Sequence, residues 1–201
     1  MKSARVLLLA LCLALFGVAG AADAHPHVWI DTVATFVFTQ GKVSSLRLTW
    51  TFDEDFSETL LHNVHAARRP GRLDAQQVKH LYEKDFANLQ SDQYFVRLYV
   101  GGGRVPVREV SDFSASYRDR RVIYEFTVRL PAPVDPVATA VALSVYDATY
   151  FVEVDFDETT PVLFVDGPDP PCRYSVVEDR QHPIYFGMVF PQQLRLDCRR
   201  G

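Results

Sequence analysis

His27-Val28-Trp29-Ile30-Asp31-Thr32-Val33-Ala34-Thr35-Phe36-Val37-Phe38, followed after Thr39-Gln40-Gly41-Lys42 by Val43-Ser44-Ser45-Leu46-Arg47-Leu48-Thr49-Trp50-Thr51-Phe52, decides the fold class. Residues 27–38 alternate over long stretches. Val28, Ile30, Ala34, Phe36 and Phe38 share one side, and His27, Trp29 and Asp31 the other. In residues 43–52, Leu46, Leu48, Trp50 and Phe52 share a face. Gln40-Gly41 between them is a turn dipeptide, so the two runs read as a β-hairpin.

Working outward, the period changes at Asp53-Glu54-Asp55. Asp55 or Ser57 can cap a helix running to about Ala66, and Arg68-Arg69-Pro70-Gly71-Arg72 breaks it. Asp74 can cap a second helix, with Val78, Leu81, Tyr82, Phe86 and Leu89 on one face. Strand patterns return at 93–100 and 105–110 around Gly101-Gly102-Gly103, and at 114–117 and 122–130 around Arg118-Asp119-Arg120-Arg121. Pro131-Ala132-Pro133 reads as a turn, and 138–146 and 150–156 flank Asp147-Ala148-Thr149. The expected fold is mainly β: an antiparallel β-sandwich-like domain with a helix–loop–helix insert at about 55–91 and a Pro-rich tail at about 161–201 packed as extended segments.

The segment before the hairpin has the anatomy of a secretory signal: Lys2 and Arg5, an apolar run from Val6 to Val18, then small residues. The small-x-small rule favours a cut after Ala24, giving a leader of residues 1–24 and a single periplasmic domain at 25–201. A cut after Ala21 also satisfies it and would leave His25 four residues in. The mature chain of about 175 residues fits one domain. Two positive charges and one negative leave with the leader, so the formal charge moves from −4 to −5. That balance argues against nucleic acid, which selects a basic face. No other apolar stretch reaches the ~18 residues a membrane span needs, so the cleaved chain is not expected to cross one. Of three cysteines, Cys12 lies in the leader. Cys172 and Cys198 are then the only mature pair, and in an oxidising compartment they are expected to form a disulfide tying the tail to the body.

Cleavage after Ala24 makes His25 the first residue, with an α-amine and an imidazole that can chelate, and His27 two positions on. Alternation along the strand projects His25, His27 and Asp31 to one side. Imidazoles suit nickel, cobalt, copper and zinc, with a carboxylate as a further ligand or support. Pro26 excludes a square-planar site built on the second amide nitrogen, because proline has no N–H to ionise. Asp31 reads either as a metal contact or as a carboxylate paired with a nearby Arg or Tyr. Asp53, at the end of the partner strand, either reaches the same end of the sheet or places charge at a helix N-terminus. Asp147 sits in a tight turn, a place Asp takes for backbone reasons alone. Glu58, His62 and His65, spaced four and three apart, would share one face of the first helix as a secondary metal candidate or a solvated face. No nucleophile, P-loop or dinucleotide signature is present in the sequence.

The blocks His25-Pro26-His27-Val28-Trp29-Ile30-Asp31, Trp50-Thr51-Phe52-Asp53-Glu54, Tyr94-Phe95 and Tyr146-Asp147-Ala148-Thr149-Tyr150-Phe151 occur in order. The chain thereby resembles a bacterial family of uncharacterised periplasmic proteins that often begin with His-Pro-His. Its members are often encoded beside nickel/cobalt efflux permeases and sometimes labelled the periplasmic component of an ABC-type transport system. The resemblance implies a role for His25, His27, Asp31, Asp53 and Asp147. Many relatives resemble an EF-hand between the two helices. Residues 62–74 here supply Arg where a calcium loop needs oxygen ligands, so calcium is not carried over.

The expectation is a non-enzymatic periplasmic accessory protein of transition-metal transport. It would bind nickel or cobalt, with zinc or copper as further candidates, and serve an inner-membrane metal permease. The alternatives are a copper redox protein with an N-terminal histidine brace, and a small-ligand-binding component of an ABC transporter.

Overall fold

The computed structural model describes residues 27–167 and 172–198; the expected leader, His25 and the tail's Pro168, Pro170 and Pro171 lie outside them. The hairpin forms as its alternation predicts. Strand β1 (Val28–Thr39) pairs antiparallel with β2 (Lys42–Phe52), from Ile30 opposite Phe52 to Thr39 opposite Lys42, with one shift of register between Val37 and Phe38. The turn is two residues long, with Gln40 at φ 53° and Gly41 at φ 75°. Two positive φ values give the mirror-image turn whose twist matches that of the flanking strands, and glycine accepts this without a Cβ clash.

The other edge of β1 is shared. Its first half pairs parallel with β9 (Val152–Phe156) and its second half with β10 (Val162–Val165). Between them Asp157 N donates to Thr32 O at 2.9 Å and Ala34 N donates to Pro161 O at 3.0 Å, so the ladder stays satisfied across the change of partner. On the far side of β2 lie β7 (Arg121–Val134), β6 (Ser111–Arg118) and the short β3 (Gly71–Arg72). A second sheet has the order β11 (Arg173–Glu178), β12 (Gln192–Asp197), β8 (Val141–Val145), β4 (Val96–Val100), β5 (Gly103–Val105). The fold is therefore mainly β and sandwich-like. The antiparallel expectation is corrected at β1, which carries two parallel neighbours.

The helical insert forms with shifted boundaries. Helix α1 spans Glu54–Asn63 and is capped by Asp53, two residues before the expected Asp55. Ser57 is inside this helix, fully buried, and its hydroxyl accepts from Val122 N at 2.8 Å, binding the helix to β7. Helix α2 (Ala75–Leu81) begins with the expected Asp74 as part of a capping box with Gln77. It continues as a π-helical turn, Tyr82–Phe86, and a 3-10 stretch, Ala87–Phe95. The strand expected from residue 93 starts at Val96, because Gln93, Tyr94 and Phe95 all have φ near 55° (54°, 53° and 57°). Three left-handed non-glycine residues cost on the order of 1 kcal/mol each. The buried Arg97 guanidinium offsets this by donating to Asp92 O at 2.8 Å, pairing with the Asp92 carboxylate and lying 4.8 Å from the Tyr146 ring centroid. Pro131-Ala132-Pro133, expected as a turn, continues β7, whose Val134 pairs with Val43.

Both sheets and the insert contribute to one core. At its centre Trp50 lies 4.9 Å from Phe126, 5.9 Å from Phe86 and 6.1 Å from Phe95, measured between ring centroids. The tail supplies β10, β11 and β12. The disulfide Cys172–Cys198 is present with a Cα separation of 4.2 Å, and it joins β11 to β12 at one end of the pair, beside Arg173 and Asp197. Replacing both cysteines by serine frees a loop of 26 residues and is expected to lower stability by about 3 kcal/mol, read from urea unfolding of the oxidised wild type against the double variant.

Candidate functional site

The outer face of the first sheet, at the start of β1, gathers most of the residues singled out from the sequence. His27 is exposed, its backbone N donates to Phe151 O at 2.9 Å, and its ring lies 4.9 Å from the Phe151 ring. Among the described residues its imidazole nitrogens make no hydrogen bond. Trp29, 45% exposed, donates from Nε1 to Glu153 Oε2 at 2.9 Å, and the Tyr150 hydroxyl donates to Glu153 Oε1 at 3.1 Å. Asp31 pairs with Arg121 at 2.7 Å, which realises the ion-pair reading of this residue. The same guanidinium donates to Phe52 O at 2.6 Å and Thr51 O at 3.1 Å, so it fastens β2 to β1 at their open end.

Asp53 and Asp147 are held by the backbone. Asp53 Oδ1 accepts from Phe56 N at 2.8 Å, as a helix cap, and Oδ2 accepts from Trp29 N at 2.9 Å. Asp53 therefore starts α1 and closes the first rung of β1 at once. Asp147 is buried; Oδ1 accepts from Thr149 N at 2.8 Å, and Oδ2 accepts from Phe151 N and Val152 N, both at 3.1 Å. It shapes the turn into β9 and sets Phe151 beneath His27. Both carboxylates have their lone pairs directed at N–H donors, which leaves them poorly placed as metal ligands.

The secondary constellation is not brought together. Helix α1 ends at Asn63 and His65 follows at φ 51°, beyond the helix, so the spacing that would put it on one face with Glu58 does not apply. Glu58 pairs with Arg68 at 3.2 Å, and the His62 and His65 ring centroids are 6.4 Å apart. No three His, Cys, Asp or Glu side chains are grouped to hold a metal ion among the described residues.

Glu153 and Asp155 were not singled out from the sequence. Parallel pairing sets Trp29 beside Glu153 and Asp31 beside Asp155, and nothing in a one-dimensional pattern reveals a parallel register between segments so far apart. Asp155 is held above the ordinary carboxylate range, first by desolvation and then by Glu153, Asp31 and Glu158. A carboxyl group with a raised folded pKa binds its proton more tightly when folded. The contribution of Asp155 to stability is therefore most favourable below the ordinary value of 3.8 and declines as pH rises through the folded pKa.

The chain matches, over residues 8–198, the family described as "Protein of unknown function (DUF1007)", and it belongs to that family. It is 26% identical over 194 residues to an "Uncharacterized protein" of Haemophilus influenzae, spanning 87% of this chain and 91% of that one. It is 34% identical over 98 residues to an "Uncharacterized 15.5 kDa protein in trpE 3'region" of Spirochaeta aurantia, spanning 49% of this chain and 69% of that one. No helix among the described residues is long and apolar enough to cross a membrane.

Two substitutions separate structural from functional roles on this face. Asp53→Ala removes a cap and a strand hydrogen bond, and is expected to cost about 1–2 kcal/mol in urea unfolding, with Asp53→Asn recovering part of it. Asp155→Asn removes the like-charge repulsion. It is expected to be more stable than wild type at neutral pH, and the difference should vanish as the medium is acidified below the ordinary carboxylate range.

Proposed function

We propose that this DUF1007 protein is an exported, non-enzymatic accessory of transition-metal transport. Its mature N-terminus binds a divalent ion, nickel or cobalt first and zinc or copper next, for an inner-membrane permease. The observation that carries the reading is His27. It stands exposed at the start of β1 with no hydrogen bond to its ring among the described residues, while Asp31, Asp53 and Asp147 are already paired or hydrogen-bonded. The ligand set is thereby narrowed to the segment itself: the His27 imidazole, and the imidazole and amine of His25 after cleavage behind Ala24. Two imidazoles and an amine are borderline ligands suited to these late transition metals. Such a site has moderate affinity and open coordination positions, as a carrier that must release its ion requires.

Calorimetric titration of the periplasmic protein with nickel checks the reading. His27→Ala is expected to weaken binding by more than tenfold, and a one-residue extension before His25 should weaken it where the amine is a ligand. Asp53→Asn and Asp147→Asn, compared at a temperature where both remain folded, should leave the affinity within about twofold. Ligands bind deprotonated, so affinity is expected to fall as pH drops through the ordinary imidazole range near ~6.5. Absence of binding by nickel, cobalt, zinc and copper at micromolar protein would reject the proposal.

A further inference from the structure

The outer face of the second sheet carries an open groove of about 690 Å³. Its floor follows from the strand register. Leu98, Leu143 and Leu194 belong to the core, so their chain neighbours Tyr99, Ala142 and Arg195 project to the opposite face. Ala142 pairs with Tyr99 on β4 and with Arg195 on β12, which sets the three side by side. Neighbouring strands lie about 4.8 Å apart, so the Tyr99 and Arg195 backbones are about 10 Å apart. Only the methyl group of Ala142 stands between them.

A buried polar network sets the walls. Asp179, in the connection from β11 to β12, is 1% exposed. Its carboxylate accepts from Gln181 N at 3.1 Å and Gln193 Nε2 at 3.0 Å, and lies 2.8 Å from His182 Nδ1. Gln193 Oε1 in turn accepts from Arg195 Nε at 2.7 Å. The His182 ring stacks on Tyr99, with centroids 5.3 Å apart. One buried carboxylate thereby orients an imidazole and a guanidinium, and both line the groove. Neither is saturated. The His182 side chain is 42% exposed, and its Nε2 makes no hydrogen bond among the described residues. Arg195 is exposed, and its two terminal nitrogens make no hydrogen bond or ion pair among them either. Arg173, also on the wall, is by contrast paired with Asp197 at 3.8 Å.

We propose that this groove binds a small organic monocarboxylate with a flat apolar body. The terminal nitrogens of Arg195 form a planar fork that matches a carboxylate. His182 Nε2 becomes a second donor when the ring is protonated, because Asp179 already occupies Nδ1. The gap over Ala142, beside the Tyr99 ring, seats the body. Charge fixes the valence. Arg195 and protonated His182 supply two positive charges, Asp179 one negative charge and the Arg173–Asp197 pair none, so one further negative charge completes the balance. Of the other cations whose charge reaches Tyr99, Arg97 is paired with Asp92, and Arg104 is exposed and off the groove's walls. With His182 neutral, Asp179 already offsets Arg195. Carboxylate binding therefore takes up a proton at His182 and strengthens as pH falls, the reverse of metal binding at His27. The groove lies on the other sheet from His27 and stands independently of the metal reading.

The test is fluorine NMR of the protein in the presence of a metal chelator, with 4-fluorobenzoate as probe and 4-fluorobenzamide as its neutral counterpart. The expected result is saturable binding of 4-fluorobenzoate, displaced by benzoate and at least about tenfold tighter than the amide. Inorganic phosphate, which lacks the apolar body, should not displace it at the same concentration. Arg195→Gln is expected to weaken the probe by about tenfold. Arg104→Gln, the same change of charge outside the groove, should leave it within about twofold. Affinity should rise from about pH 8 to about pH 6, through the ordinary imidazole range near ~6.5, and His182→Gln should remove that rise. Unfolding temperatures check that each variant keeps the fold, and His182→Gln carries the test where Arg195→Gln does not. Equal losses in Arg104→Gln and Arg195→Gln would reduce the effect to surface charge and overturn the proposal. So would the amide or phosphate binding as well as the carboxylate, a pH dependence unchanged in His182→Gln, or no line broadening at millimolar 4-fluorobenzoate.

Discussion

The register of β1 is the constraint on which both faces of the molecule depend. Hydrogen bonds hold this strand on both edges, to β2 along one and to β9 and β10 along the other. Side chains alternate with a period of two, so a slip by one residue would drive Trp29 and Asp31 into the core and expel Val28 and Ile30. Asp53 is the device that fixes the first rung. Its N–H donates to Trp29 O and its carboxylate accepts from Trp29 N, while its other oxygen caps α1. A single side chain thus sets where the strand pair ends and where the helix begins, and the helical insert is positioned over the aromatic core by that choice.

Charge on the outer face follows from the same register. Aligning β1 with β9 in parallel puts Asp31 against Asp155, an arrangement that costs free energy unless something compensates. Arg121 compensates on one side only. It pairs with Asp31 and donates to two carbonyls of β2, and among the described residues it makes no ion pair with Asp155. Glu153 is stabilised differently, between the Trp29 indole and the Tyr150 hydroxyl. The residual repulsion therefore falls on Asp155.

Local alternation and turn chemistry made the hairpin, the Asp74 cap and the disulfide legible in the sequence. Features set by distant partners were not. Asp53 displaces Asp55 as the cap because it lies beside Trp29, a relation visible only once β1 and β2 are paired. Residues 131–133 read as a turn by composition, yet they run on within β7, whose register against β2 shifts across them before Val134 meets Val43. The left-handed run Gln93-Tyr94-Phe95 violates local preference and is held by a buried Arg97 that propensity cannot anticipate. At the candidate site, His27, Trp29 and Asp31 were readable from period alone. Asp147 was readable as a turn residue, and its grip on Phe151 N and Val152 N shows why the turn needs Asp. Glu153 and Asp155 depended on a parallel register, which leaves no periodic trace.

Phe151 joins the two faces. Asp147 fixes its backbone, its ring touches His27 on the outside, and it lines a small apolar cavity on the inside. Three buried polar atoms in the residues around that cavity, Trp50 Nε1, the Tyr124 hydroxyl and Asp85 Oδ2, have no hydrogen-bond partner and are a substantial liability. Each costs about 1–3 kcal/mol when left unsatisfied, against a total stability of about 5–15 kcal/mol for a domain of this kind. An apolar replacement at Asp85 would remove part of that cost with little disturbance, since the residue lies on the insert and not on a central strand.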